Sequence, residues 1–162
     1  MIFETLAGQD LQDFDCGTPV LNEWLWRHAK ANQVSGGSKT YLATQDGQVL
    51  GYVALAVGSI RRTDAPRRIA QGQPRDIPVL IVGRLAVAIK AQKLGVGSAL
   101  LSLALNQAVA VAEIVGIRAV LVRAKDDNAK AFYQHVAEFE ESPLDANTLM
   151  LLMQDIRAAL EL

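Results

Sequence analysis

The sequence predicts an α/β fold with a mixed central sheet flanked by helices. Three observations carry this. Apolar extended runs stand before, between and after helical segments along the 162 residues. One run, Val79 to Val87, leads through a glycine-bearing loop into a helix reaching about Val115. Two others, Tyr41–Thr44 and Val49–Val57, flank Gln45-Asp46-Gly47-Gln48, where Asp-Gly suits the positive φ angles of a hairpin turn.

The elements follow in order. Ile2 to Leu6 reads as a first strand. Asp15 to Pro19 is turn chemistry, with Thr18 placed to cap a helix and Pro19 at its first position. Leu21, Trp24, Leu25 and His28 then share one helical face, which gives His28 a structural place. Gly36-Gly37 ends that helix, and the hairpin follows. Residues 59–76 read as a polar loop with Pro and Gly, of a length that binding loops often have. The strand from Val79 and the helix from Gly97 come next, then a strand over Arg118–Arg123. Asn128 to His135 is a short helix, which the Asn128 side chain can cap. A strand over Leu149–Met153 and a tail helix over Ile156–Leu162 complete the order. No repeat or linker divides the chain, so one domain is expected over 1–162.

Composition narrows the class. Hydrophobic residues make up 51% and charged residues 20%, a globular balance. No apolar run reaches the ~18 residues of a membrane span, so no membrane is expected. Met1-Ile2-Phe3-Glu4 lacks the basic start of a secretory signal. Cys16 is the only cysteine, which excludes an intrachain disulfide and a cysteine-based metal site. A reducing cytoplasm is the expected compartment, and no metal is expected. The net charge is −1, yet residues 17–136 hold 15 Lys or Arg against 7 Asp or Glu. The two ends hold one Arg and 10 acids. The densest basic cluster is Arg61, Arg62, Arg67 and Arg68, with Arg75 nearby. Such a cluster is either a solvated loop or a polyanion contact.

The segment richest in chemistry is Gln92-Lys93-Leu94-Gly95-Val96-Gly97-Ser98-Ala99. A strand before it and a helix after it turn unpaired N–H groups, at the positive end of a helix dipole, toward any phosphate oxygen nearby. It lacks the Gly-Lys-Ser/Thr of a P-loop and the third glycine of a dinucleotide fingerprint. Its Gln-x-x-Gly-x-Gly spacing resembles the acetyl-CoA pyrophosphate loop of the GCN5-related N-acetyltransferase (GNAT) family. Asn128-Ala129-Lys130-Ala131-Phe132-Tyr133 resembles that family's second signature. The resemblance covers nearly the whole chain and implies the GNAT acyl-CoA N-acyltransferase fold.

Several expectations follow from the resemblance. The backbone of Leu85, Ala86 and Val87 pairs with the pantetheine arm of acetyl-CoA. The loop from Gln92 to Ala99 holds the pyrophosphate, and Asn128 touches the cofactor. Tyr133 protonates the departing thiolate, since a phenol titrating near pH ~10 keeps its proton at neutral pH. One departure is visible: the family's Gly after the Phe-Tyr pair is missing from Gln134-His135-Val136-Ala137-Glu138-Phe139, so the turn there must differ. Neither His28 nor His135 reads as a general base.

The segments Phe14-Asp15-Cys16-Gly17, Leu21-Asn22-Glu23-Trp24-Leu25, Gly37-Ser38-Lys39-Thr40-Tyr41 and Gly83-Arg84-Leu85-Ala86-Val87 look more narrowly like the GNAT toxins of bacterial type II toxin–antitoxin systems. That resemblance implies acetylation of the amino group of aminoacyl-tRNA and a block of translation. Its implied partners are aminoacyl-tRNA and a ribbon-helix-helix antitoxin, with a homodimer left open. The tRNA contacts expected are Lys39, Arg61, Arg62, Arg67, Arg68 and Arg84, because phosphate contacts dominate nucleic-acid affinity. The alternative is an ordinary GNAT enzyme acting on a small-molecule or peptide amine.

Overall fold

Among the described residues seven strands and six α-helices form, one strand (Glu140–Glu141) and one helix (Arg67–Ala70) more than the sequence reading placed, with its first helix divided in two. The strands are β1 (Ile2–Thr5), β2 (Lys39–Gln45), β3 (Gln48–Arg61), β4 (Asp76–Val87), β5 (Ala119–Arg123), β6 (Glu140–Glu141) and β7 (Thr148–Leu152). The helices are α1 (Pro19–Glu23), α2 (Ala29–Val34), α3 (Arg67–Ala70), α4 (Val96–Ala112), α5 (Asp127–Val136) and α6 (Met153–Ala159). A computed structural model describes residues 1–160. The strands order as β1-β2-β3-β4-β5-β7-β6 in a mixed sheet. The chain forms two compact units, Met1–Ala56 with Gly83–Ala104, and Val57–Val82 with the chain from Leu105 on.

In the first unit β1 pairs antiparallel with β2, and β2 with β3. The hairpin turn is Asp46-Gly47, with φ of 52° and 76° at the two residues. Aspartate and glycine tolerate this left-handed backbone, which matches the twist of the strands. Leu6, Phe14, Trp24, Leu25, Leu42 and Tyr52 form the core of this unit. The Gln33 side-chain amide ties α2 to the sheet: its Nε2 donates to the Leu6 carbonyl at 2.9 Å, and its Oε1 accepts from the Thr40 N–H at 2.9 Å.

Two expectations fail in this unit. The first helix is not one continuous α-helix, because a π turn over Trp24–His28 separates α1 from α2. The wider turn changes which side chains face inward: Trp24, Leu25 and Ala29 are buried while His28 is exposed. Thr18 does precede Pro19, but its side chain makes no capping hydrogen bond.

In the second unit β4 pairs parallel with β5 over Val79–Val82 against Ala119–Val122. β5 pairs antiparallel with β7, and β7 with β6. Ile69, Ile77, Val79, Leu121 and Met150 pack in its core. The segment 59–76 is not the loop its polarity suggests. β3 runs on to Arg61 and β4 starts at Asp76. Between them, a 3-10 turn (Arg62–Asp64) and α3 are closed at the base by Arg62 N–H to Arg75 O at 2.8 Å. Fully buried Ile69 anchors this segment; burying such a side chain contributes about 1.5–3 kcal/mol. Arg118 holds it from below, donating to the carbonyls of Ile69 at 3.1 Å and Arg68 at 3.0 Å.

The last helix begins earlier than expected, at Met153, and ends at Ala159. The part of the expected tail helix at residues 161 and 162 lies outside the described residues. Among the described residues no helix is long and apolar enough to cross a membrane.

Candidate functional site

The first unit carries the loop that the sequence singled out. At the C-terminal end of β4, Ala88 N–H donates to Leu50 O at 2.8 Å, and Ile89 N–H to Asp15 O at 2.8 Å. A 3-10 turn, Ile89–Ala91, then delivers the loop. Lys93 has φ 64° and Gly95 φ 87°. Left-handed residues in such a loop turn successive N–H groups toward one side, as anion-binding nests do. An added Cβ on Gly95 meets no atom within 4 Å, so the glycine is required by conformation rather than by space.

The first intrahelical bond of α4 runs from Ala99 N–H to Gly95 O, at 3.0 Å. The N–H groups of Val96, Gly97 and Ser98 therefore have no partner within the helix. No acidic residue stands in the first turn to compete for them. This donor set fits a pyrophosphate. Lys93, Leu94 and Ser98 are exposed along the loop, and Val96 is buried beneath it. Ala99 is half-buried, on the first turn of α4.

Gln92 acts one layer behind. Its Nε2 donates to Cys16 O at 3.1 Å and to Val87 O at 3.0 Å. The Gln side chain thus fastens the loop to the turn at Cys16 and to the end of β4. That turn is itself cross-linked. Asp15 Oδ1 accepts from Gly17 N–H at 2.9 Å and Asn22 Nδ2 at 3.0 Å, and Asn22 Oδ1 accepts from Cys16 N–H at 2.8 Å. The hydrogen bond from Gly17, then that from Asn22, hold the Asp15 carboxyl below its ordinary value. Asp15 and Asn22 support the loop and escaped the sequence reading; their only sign was a short turn motif.

Leu85, Ala86 and Val87 end β4, with Ala86 buried and its neighbours half-buried. Among the described residues the pairing of β4 with β5 stops at Val82–Val122, although β4 runs on to Val87. Behind Ala86 stands Gly51 of β3, where a Cβ would meet Ala86 O and Leu100 Cδ1, each at 2.9 Å. Only glycine lets the backbones come so close.

The second unit carries the other sequence-predicted residues, on α5. Asp126, not Asn128, caps α5: its carboxylate accepts from Ala129 N–H at 2.8 Å. Asn128 is exposed in the first turn, two residues past the capping position. Tyr133 is 7% exposed and packs edge-on between Phe132 and Phe139, with ring centroids 5.3 Å and 5.8 Å away. The missing glycine costs nothing, because the residue after α5, Ala137, is extended at φ −155° and any L-residue adopts that conformation. Phe139 N–H then donates to Ala137 O at 2.9 Å, which turns the Phe139 ring onto Tyr133.

Two buried tyrosines differ in their hydroxyls. Tyr52 donates to Leu21 O at 2.7 Å. Its phenol is raised well above the ordinary range by burial and then by Cys16, with Arg84 opposing. The Tyr133 oxygen makes no hydrogen bond among the described residues. Burial pushes its phenol up to about 12. A protonated donor with an uncommitted hydroxyl is the arrangement a general acid needs.

The expected tRNA contacts divide. Lys39, Arg61 and Arg67 are exposed. Lys39 Nζ lies 6.0 Å from the centre of the Tyr41 ring. Arg62 is exposed but donates to Gln73 O at 2.9 Å. Arg68 is committed to Asp155 and Glu140. Arg84 is half-buried, its guanidinium carbon 4.4 Å from the centre of the Trp24 ring. Among the described residues no group of three His, Cys, Asp or Glu side chains could hold a metal ion.

Comparison with known proteins places this geometry. The model of the acetyltransferase (GNAT) domain matches residues 36–136. A "tRNA-acetylating toxin" of Mycobacterium tuberculosis (strain ATCC 25618 / H37Rv) is 46% identical over 149 residues, which is 92% of this chain and 89% of that protein. The crystallographic neighbours include AtaT complexed with acetyl-methionyl-tRNAfMet, at a TM-score of 0.89 and 28% identity over 98% of each chain. Another is a tyrosine-to-phenylalanine AtaT variant bound to the C-terminus of the antitoxin AtaR and acetyl-CoA, at a TM-score of 0.85 and 27% identity over 99% of this chain and 98% of that one. The glycine loop ahead of α4, the strand that outruns its partner and the buried phenol of α5 thus have a common explanation: the chain belongs to the GNAT acetyltransferase family.

Proposed function

We propose that this protein is an acetyl-CoA-dependent N-acetyltransferase toxin that acetylates the amino group of aminoacyl-tRNA and so blocks translation. The observation that carries this reading is the 46% identity over 149 residues with a tRNA-acetylating toxin. The whole chain, 1–162, then acts as one N-acetyltransferase domain in the cytoplasm, held in check by an antitoxin of the ribbon-helix-helix class. Lys39, Arg61, Arg62 and Arg67 supply phosphate contacts on the tRNA.

Bound acetyl-CoA supplies the acetyl group as an activated thioester. The N–H groups from Val96 to Ser98 bind its pyrophosphate, and the backbone of Leu85, Ala86 and Val87 aligns the pantetheine arm. Asn128, freed from capping, is available to the cofactor from the first turn of α5. The neutral amine attacks the thioester carbonyl, a C–N bond forms and the C–S bond breaks. Tyr133 holds a proton at its phenol oxygen until that moment and releases it to the departing sulfur. The amine proton leaves to solvent, since no histidine is placed to take it. An α-amine of an aminoacyl ester is neutral often enough near pH 7 to react without a dedicated base.

The test is direct. Purified protein is mixed with acetyl-CoA and bulk charged tRNA, and the nuclease digest is read by mass spectrometry. N-acetylaminoacyl adenosine is the expected product. Acetylation of free small amines with none of the tRNA would overturn the toxin reading in favour of an ordinary acetyltransferase.

A further inference from the structure

Arg84 combines partial burial with the lack of a polar partner, whereas five other arginines of this chain are paired. Arg27 pairs with Glu23, Arg157 with Glu113, and Arg68 with Asp155 and Glu140. Arg62 and Arg118 donate to backbone carbonyls. Arg84 is half-buried on β4, and among the described residues neither a carboxylate nor a hydrogen-bond acceptor meets it. A partly desolvated, unpaired guanidinium weakens a fold rather than supporting it. Its one neighbour of note is the Trp24 ring, 4.4 Å away.

We propose that Arg84, held against Trp24, is the fork that binds the phosphate of the acceptor's terminal nucleotide. The proposal rests on the aminoacyl-tRNA reading above and deepens it. A guanidinium carries five N–H donors in one rigid plane. The indole covers one face of that plane by cation–π attraction and leaves the donor edge for a ligand. Phosphate oxygens match that edge in bidentate fashion.

The support beneath Arg84 is rigid. Trp24 stacks with Tyr52 at 5.9 Å and an interplanar angle of 18°. Tyr52 is in turn fixed by its hydrogen bond to Leu21 O. Trp24 also opens the π turn, a distortion that is frequent at functional sites. The position on the strand points the same way. Arg84 directly precedes Leu85, the first residue expected to align the pantetheine arm. Arg61 and Arg67, exposed elsewhere, add general affinity; Arg84 positions one phosphate close to the reacting ester. It is a positioning residue and takes no part in proton transfer.

The experiment uses two minimal acceptors, 3′-aminoacyl-adenosine with and without a 5′-phosphate, each with saturating acetyl-CoA. The wild-type protein should favour the phosphorylated acceptor by about 10- to 100-fold in kcat/KM, the worth of a charge-assisted hydrogen-bonded pair. That preference should appear in KM. Arg84→Gln should bring the ratio close to one, Arg84→Lys should keep part of it, and Trp24→Leu should reduce it. Thermal melting checks the fold of each variant, and Arg84→Lys carries the test if the glutamine variant does not fold. A wild-type ratio near one, or an unchanged ratio in the folded arginine variants, would overturn the proposal. Failure of the wild type to acetylate charged tRNA or either acceptor, while a small amine is acetylated, would instead overturn the aminoacyl-tRNA reading beneath it.

Discussion

Arg68 and Asp155 meet through two hydrogen bonds, Nη1 to Oδ2 at 2.9 Å and Nη2 to Oδ1 at 3.2 Å, across 87 residues of sequence. Glu140 adds a third oxygen at 3.7 Å from Nη1. The hydrogen bond to Asp155, its charge and then that of Glu140 raise the Arg68 pKa further. The fork fastens α3 to α6, so this arginine has structural work that Arg61 and Arg67 do not. Arg68→Ala should lower the melting temperature by a few degrees and leave the KM for charged tRNA nearly unchanged. Arg61→Ala and Arg67→Ala should do the reverse, raising KM and flattening its salt dependence with little effect on melting. Binding titrations at several salt concentrations separate the two behaviours.

The two buried tyrosines should respond oppositely to loss of a hydroxyl. Tyr133→Phe removes a group with no protein partner, so melting should hardly move. The single-turnover rate should fall ~100- to 10,000-fold, the usual share of general acid catalysis. Tyr52→Phe strands the Leu21 carbonyl and should cost about 1–3 kcal/mol of stability. Urea titrations and single-turnover acetylation of charged tRNA check both. A Tyr133→Phe protein acetylating at the wild-type rate would show that the proton comes from water.

The pH profile carries a second signature of Tyr133. A free tyrosine titrates near ~10, whereas burial holds this one up to about 12. The folded value is the higher one. Its stabilising contribution is therefore complete below ~10 and is lost as the pH rises through about 12. In kinetics, kcat should climb as the substrate amine loses its proton, with no descending limb near pH ~10, where an ordinary phenol would fail. Rates measured from neutral to alkaline pH, with stability followed in parallel, check both statements.

The capping finding yields a paired test. Asp126→Ala removes the acceptor for Ala129 N–H and should cost about 1 kcal/mol. Asn128→Ala should leave stability unchanged, since Asn128 is exposed and caps nothing. If Asn128 touches acetyl-CoA, its loss appears only in calorimetric titration with that ligand.

Gln92 should behave as a tether. Gln92→Leu removes two donated hydrogen bonds, to Cys16 O and Val87 O, and frees the loop without touching its N–H groups. Each bond contributes about 0.5–1.5 kcal/mol, so acetyl-CoA affinity should fall by about tenfold or more while α4 stays folded. Calorimetry gives the first quantity and circular dichroism the second.

The legible parts of this protein are those whose cause is local. Asp46-Gly47 declares its turn by residue type. The loop from Gln92 to Ala99 declares its place between a strand and a helix by its glycine spacing, and α5 by its Asn-Ala-x-x-Phe-Tyr run. What escaped depends on partners far along the chain or on geometry without a residue signature. No composition marks a π turn, so His28 was placed on a buried face that the turn moves away. The polar stretch 59–76 hides Ile69, whose burial is decided by a core formed with residues 77 to 152. The basic cluster gives no hint that Arg68 is neutralised from α6. Asp126 was within reach, since an aspartate three residues ahead of a helical amide is an ordinary capping signal.

The strand order within the second unit has a consequence for how the protein comes into being. β7 lies between β5 and β6, although both are made before it. All five of its residues are buried. Until Thr148–Leu152 emerges, β5 keeps one edge open and β6 has nothing to pair with. The unit therefore closes by a late insertion, not by growth from one side, and the phenol of Tyr133 waits on a layer that is finished almost last. A chain interrupted anywhere before Thr148 would expose the open edge of β5 to other chains.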